Sequence, residues 1–182
     1  MKRLEFSVND IPQGGKKNRE IEVSPSEIDL EMQDVKFPGP VCSRIQLLRN
    51  DQDIYVKANV SVPVVVYCRR CLEPVQSNLF SDLELQFCQV EEPEKNDSNL
   101  LDVGERHYAG GIMDLSEDVR QAIVLEIPIW PLCSDLCEGL CCNCGENLNL
   151  SKCSCDEVIE SSSPFMGLSV LRKENANRRE PF

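Results

Sequence analysis

From Ile54 to Val66 every second position is apolar: Ile54, Val56, Ala58, Val60, Val62, Val64 and Val66. Side chains on a strand alternate between its two faces, so this run predicts one long strand with a single buried face. Pro63 falls on the opposite parity and has no N–H to give a ladder, which predicts an edge or bulge there. A second alternating run, Leu79, Ser81, Leu83, Leu85 and Phe87, follows at once. Between the two lies Cys68-Arg69-Arg70-Cys71-Leu72-Glu73-Pro74, so a cysteine pair caps a predicted hairpin. Shorter alternations stand upstream: Leu4, Phe6 and Val8, then Ile21 and Val23, then Ile45 and Leu47 ahead of the turn-like Arg49–Asp53. The expected fold is mainly β (α+β), an antiparallel, partly open, barrel-like sheet with one or two short helices and a Cys-rich zinc loop.

Asp114 has the place of a helix N-cap, with Glu117 three positions on completing a capping-box pattern. Leu115, Val119, Ala122 and Ile123 recur at helical spacing, and Pro128 disfavours helix in the residue before it. These signals predict a helix near 115–126. Residues 1–130 then form a β-rich core, interrupted near 91–99 by the polar EEPEKNDSN, an acidic loop or linker. Residues 131–158 form a Cys-rich zinc-binding loop. The last segment, 159–182, carries a short helix from about Pro164 to Arg172 and a flexible tail.

Eleven cysteines in 182 residues require an explanation. Their number is odd, and Met1–Phe6 turns polar without the apolar stretch of an export signal, so disulfides are not expected and a cytoplasmic, reduced protein is. Cys68-x2-Cys71, Cys133-x3-Cys137, Cys141-x2-Cys144 and Cys153-x-Cys155 have instead the spacing by which a chain wraps one metal ion with paired thiolates. Gly145 after Cys144 can take a positive φ and turn backbone N–H groups toward the sulfurs. The eight thiols divide into two four-cysteine sites if Cys68 and Cys71 join Cys133 and Cys137. Equally, one site can use four of the six downstream thiols. One or two structural Zn2+ are expected either way. Cys42, Cys88 and Cys142 read as small hydrophobes outside any ligand pattern.

Catalytic zinc keeps an open position and usually takes His or carboxylate ligands. The one histidine, His107 in Glu105-Arg106-His107-Tyr108, has no paired spacing, and HExxH, a Gly-rich phosphate loop and a nucleophile elbow are all missing. Pro74 and strand-like residues follow Cys71, where a redox thiol pair wants a helix N-terminus. No enzyme is expected, and no small-molecule substrate is evident. No apolar run is long enough to span a membrane. The net charge is −12, and Asp82 to Asp118 holds eleven acidic residues against Lys95 and Arg106, a net of −9. Such a surface does not attach broadly to phosphate backbones.

At Cys68-Arg69-Arg70-Cys71-Leu72, at Pro131-Leu132-Cys133 and through Cys137-Glu138-Gly139-Leu140-Cys141-Cys142-Asn143-Cys144-Gly145-Glu146-Asn147-Leu148-Asn149 the chain resembles the YceD family, the large ribosomal RNA subunit accumulation proteins. Pro164-Phe165-Met166-Gly167-Leu168-Ser169-Val170-Leu171 is similar to that family's ending. Cys142 departs from it, since relatives tend to carry proline there, and some relatives lack much of the downstream cluster, so metal serves the fold rather than a shared chemistry. The resemblance implies a part in synthesis, processing or stability of large-subunit rRNA, without catalysis. Its acidity then implies a ribosomal protein or large-subunit assembly intermediate as the partner, with rRNA reached indirectly. The cysteines by themselves fit a second reading equally, a thiol/zinc redox-responsive regulatory protein.

Overall fold

The structure, a computed structural model, describes residues 4–89, 105–108 and 110–155. The acidic segment near 91–99 and the helix expected at Pro164–Arg172 lie outside these residues. The chain divides into two compact units, Met1–Gly139 and Leu140–Phe182. Cys133 and Cys137 therefore belong to the unit that contains the strands.

Among the described residues the first unit holds seven strands and one α-helix: β1 Glu5–Ser7, β2 Lys16–Val23, β3 Val41–Asn50, β4 Asp53–Tyr67, β5 Pro74–Gln89, β6 Glu105–Tyr108, β7 Ile112–Asp114 and α1 Ser116–Glu126. Five of them form one sheet in the order β2-β3-β4-β5-β6, while β1 pairs with β7 apart from it. The fold is mainly β, as expected. The large sheet is open, with β2 and β6 as its edges, and is not closed into a barrel. It is mixed rather than wholly antiparallel, because β6 runs parallel to β5 from Gln86↔Glu105 to Gln89↔Tyr108. Among the described residues no helix is long and apolar enough to cross a membrane.

The alternating run produces what its period dictates. Ile54, Val56, Ala58, Val60, Val62, Val64 and Val66 are all buried on one face of β4, and Leu79 and Phe87 of β5 join them. Ile45 and Leu47 of β3 and Val119 and Ile123 of α1 complete the same core. Asp51 takes the left-handed conformation (φ 53°) in the two-residue turn between β3 and β4. Pro63 sits where β4 has lost β3, whose ladder ends at Cys42↔Ser61. The Val65 N–H points away from β5 to the Lys36 carbonyl (2.8 Å), and the Pro63 nitrogen, two residues earlier, faces the same way. Gly39 fills that place, since a Cβ there would lie 2.7 Å from the Pro63 ring.

Two local expectations are corrected. The helix starts at Ser116, whose N–H donates to Asp114 Oδ1 (2.8 Å). Glu117 does not reach back to complete a capping box; it accepts from Arg120 and Gln121 one turn on, and Arg120 holds its carboxyl down at about 2. Asp118, read as part of an acidic surface, is buried and accepts from Arg106 Nε of β6 at 2.8 Å. With the Tyr108 hydroxyl donating to the Gln52 carbonyl (2.8 Å), that ion pair fastens the short edge strand to the body.

Burial pushes the Asp118 carboxyl above its ordinary value, and the Arg106 guanidinium only partly offsets this. A folded value above the unfolded one means that the folded state binds the proton more tightly. The stability contributed is full below the ordinary carboxylate range and declines as pH rises through the folded value. Asp118→Asn should remove this decline, so its unfolding free energy minus that of the parent should grow from about pH 3 to 7. Denaturant titrations across that interval check it; a constant difference would assign Asp118 no linkage.

Candidate metal centres

The tip of the β4–β5 hairpin is a tight turn from Cys68 to Glu73. The Cys68 N–H donates to the Glu73 carbonyl (2.9 Å) and the Leu72 N–H to the Cys68 carbonyl (3.0 Å). Leu72 closes the turn with φ 61°, a conformation that costs a non-glycine residue about 1–2 kcal/mol. The strand pair ends here, so both sulfurs of the pair project from a rigid support.

The segment after α1 is tied back onto this tip by its main chain. The Arg69 N–H donates to the Pro131 carbonyl (2.9 Å), and Arg70 Nη1 donates to the carbonyls of Cys137 (2.9 Å) and Asp135 (3.4 Å). Gly139 adopts φ +81° against Arg70, whose carbonyl oxygen would lie 3.2 Å from a Cβ there. Cys133 and Cys137 are thereby brought to Cys68 and Cys71: Cys68 Sγ is 3.8 Å from Cys137 Sγ, and Cys71 Sγ is 3.6 Å from Cys133 Sγ. All four sulfurs lie within 4.8 Å of one another. Three of these residues are buried and Cys133 is exposed.

In the second unit Cys141, Cys144, Cys153 and Cys155 form another such group. The Cys141 N–H donates to the Glu146 carbonyl (2.8 Å) and the Gly145 N–H to the Cys141 carbonyl (2.9 Å), a turn that needs the positive φ of Gly145, 75°. The Asn143 N–H donates to Cys141 Sγ at 3.4 Å, so the turn does aim backbone donors at a sulfur. Cys141 and Cys153 sulfurs are 3.4 Å apart, while Cys144 and Cys155 are exposed. The eight predicted thiols thus fall into two groups of four, the cross-fold division of the two that the spacing allowed. Cys42, Cys88 and Cys142 stand outside both, and neither group includes His107.

The spacing suits one ion per group. Four thiolates at the ~2.3 Å of a zinc–sulfur bond form a tetrahedron with edges of about 3.8 Å, and the separations of 3.8, 3.6 and 3.4 Å lie at or just under that value. No disulfide joins any of the eleven cysteines. The electrostatics also call for a cation. Burial pushes the Cys68 thiol up, but the N–H groups of Cys71, Arg70 and Cys133 outweigh it and bring it to about 6. Cys133 is pushed up to about 12 by the neighbouring Cys137 and Cys71 sulfurs. In the second group the Cys144 and Asn143 N–H groups bring Cys141 to about 6, while Cys144 pushes Cys155 up to about 12. In each group one thiol is eased toward the thiolate and another is held against it by neighbouring sulfurs, and positive charge placed among them would relieve that opposition.

Arg69 and Arg70 position the first cysteine group, and the spacing argument passed over them. They lie inside the C-x-x-C, where that argument weighed only the sulfurs. What marks them is position: a turn flanked by two ligands must also dock the segment carrying the other two.

A profile of the family described as large ribosomal RNA subunit accumulation protein YceD matches residues 56–172. The chloroplastic large ribosomal RNA subunit accumulation protein YCED homolog 1 of Arabidopsis thaliana is 26% identical over 168 residues, covering 79% of this chain and 52% of that protein. Its Zea mays counterpart is 28% identical over 156 residues, 71% of this chain and 53% of that protein. An uncharacterized protein of Mycobacterium leprae is 29% identical over 125 residues, 69% and 57% of the two chains. The chain spans about half the length of these relatives. No solved structure matches. The match takes in both cysteine groups and the hairpin that presents the first, and the chain belongs to the YceD family.

Proposed function

We propose that this chain is a non-enzymatic cytoplasmic factor that supports accumulation of large-subunit ribosomal RNA by binding a ribosomal protein or a large-subunit assembly intermediate, its two cysteine groups each holding one structural Zn2+. The observation that carries the reading is the family match over residues 56–172. Four thiolates complete the tetrahedron that zinc prefers and leave no position for water or substrate, which supports a structural rather than catalytic ion. The charge supports a protein partner: the net −12 repels bare phosphate and attracts basic ribosomal proteins. The rRNA is then reached through the partner.

Exposure of Cys144 and Cys155 favours a second reading, a thiol/zinc redox-responsive regulator. The two separate when oxidant is added to zinc-loaded protein: a structural site keeps its ion and its thiols unreactive, whereas a switch releases zinc and forms disulfide.

Protein purified under reducing, chelator-free conditions should contain two equivalents of zinc, falling to about one in Cys68→Ser and in Cys144→Ser. Structural zinc contributes roughly 10–16 kcal/mol of apparent binding free energy, which is folding energy where no preformed site exists. Chelation should therefore expose amides after Pro131 to hydrogen exchange before those of the β4–β5 ladder. Elemental analysis and exchange mass spectrometry read both, and metal-free protein would end the zinc assignment.

Loss of the protein should lower large-subunit rRNA relative to small-subunit rRNA. Neutralising Glu91, Glu92, Glu94 and Asp97 together should slow capture of a basic partner without unfolding the chain, since attraction of this kind is screened over about 8–10 Å. If this variant matches the parent in rRNA ratio and in partner binding, the acidic run is only a solvated surface.

A further inference from the structure

The two cysteine groups differ in what an incoming ligand could reach. In the first, Cys68, Cys71 and Cys137 are 0%, 4% and 3% exposed. The segment that carries Cys133 and Cys137 is fastened there by the hydrogen bonds of Arg69 and Arg70. In the second group none of the four residues is buried, and Cys144 stands in solvent. Its four sulfurs lie within 4.8 Å of one another, so an ion among them has an open flank on the Cys144 side. A frame of hydrogen bonds that uses no sulfur shapes the loop. Asn147 Oδ1 accepts from the Asn149 N–H (3.1 Å) and from Asn149 Nδ2 (2.8 Å), and Ser151 Oγ donates to Glu146 Oε1 (2.6 Å). The Leu150 and Ser151 N–H groups donate to the Asn147 carbonyl (3.0 and 3.2 Å). With this frame in place one sulfur can leave the ion without the loop coming apart. In the first group the same access requires local opening of the docked segment.

Zn2+ has no geometric preference from its d-electrons and can expand from four ligands to five, so thiolates can replace one another around it without any redox change. A soft thiolate is also the ligand best able to compete with four others. We propose that the second group is an exchange site, which hands its Zn2+ to a thiolate acceptor and takes one back, while the ion of the first group stays with the fold. In the first step a thiolate of the acceptor forms a Zn–S bond on the open flank, and the bond to Cys144 Sγ breaks. The departing Cys144 thiolate takes up the proton that the entering thiol gave up, and no electron moves. The same replacement at the other three sulfurs completes the transfer. The proposal rests on the reading that each group holds one Zn2+ and divides two ions which that reading treats alike. It needs no oxidation, unlike the redox regulator.

The full chain, isolated under reducing conditions and its zinc counted, is mixed with an acceptor in one of two arms: a metal-free peptide bearing a four-cysteine site, or a small dithiol. After rapid removal of the acceptor, a brief alkylation pulse and peptide mass mapping show which cysteines have lost their ion. Cys142, exposed and outside both groups, should react from the start and calibrates the pulse. Cysteines of the second group should become reactive at least about tenfold sooner than those of the first. Their rate should rise in proportion to the concentration of the acceptor, and added Zn2+ should return them to the unreactive state. The faster arm identifies the source of the acceptor: another cysteine metal site if the peptide leads, the small thiols of the cell if the dithiol leads. Equal rates in the two groups, a first group that empties first, or a rate independent of acceptor concentration overturns the proposal and leaves the reading of two bound ions intact. A chain isolated with no zinc in its second group ends that reading and the proposal together. If deletion of the protein leaves the rRNA ratio unchanged while the exchange results hold, the biogenesis reading falls and the exchange site stands.

Discussion

Fifteen residue pairs, from Asp53↔Cys88 to Tyr67↔Pro74, join β4 to β5, and their register governs everything beyond them. Slipping the hairpin by one residue would turn the seven apolar side chains of β4 to the other face. At roughly 1.5–3 kcal/mol for each buried aliphatic side chain, such a slip forfeits on the order of 10–20 kcal/mol. The register therefore admits one solution, and with it Cys68 and Cys71 come to the tip at fixed orientation. The hydrophobic alternation of a strand pair thus sets the geometry of a sulfur site at its far end.

Much of this was legible in the sequence because it is local. The period of Ile54–Val66, the cysteine pair between two alternating runs and the helix ahead of Pro128 are all written in consecutive residues. What could not be read depends on segments far apart. That β6 pairs parallel with β5 follows from the return of the chain after β5, which no local pattern encodes. Asp118 looked like one more surface carboxylate in an acidic stretch, and only the approach of Arg106 across the fold gives it a buried partner. Spacing alone left the division of the eight thiols open for the same reason: what selects it is the docking of Pro131–Gly139 on Arg69 and Arg70, through hydrogen bonds from the Arg69 N–H and the Arg70 guanidinium to main-chain carbonyls some sixty residues away.

The two groups of cysteines are unlike in what they hold together. Contacts in the first join residues 62 and 69 apart in sequence, whereas Cys141 and Cys153 are 12 apart. Closing the longer loop costs the unfolded chain more entropy, by roughly 1.5 kcal/mol on logarithmic scaling. An ion in the first group would act as a long-range cross-link between a hairpin and the segment after the helix. One in the second would fix a local turn whose described residues include no buried hydrophobic side chain.

This separation also orders events in time. A chain emerging from its ribosome presents the hairpin and its two thiols long before Cys133 and Cys137 exist, and a pair of thiolates is only half a coordination shell. The first site can close only when the helix and the stretch behind it have been made and folded back. Its ion would therefore record that synthesis has passed residue 137, and a chain cut short before that point would keep an unfinished, exchangeable half-site at the end of an otherwise well-formed hairpin.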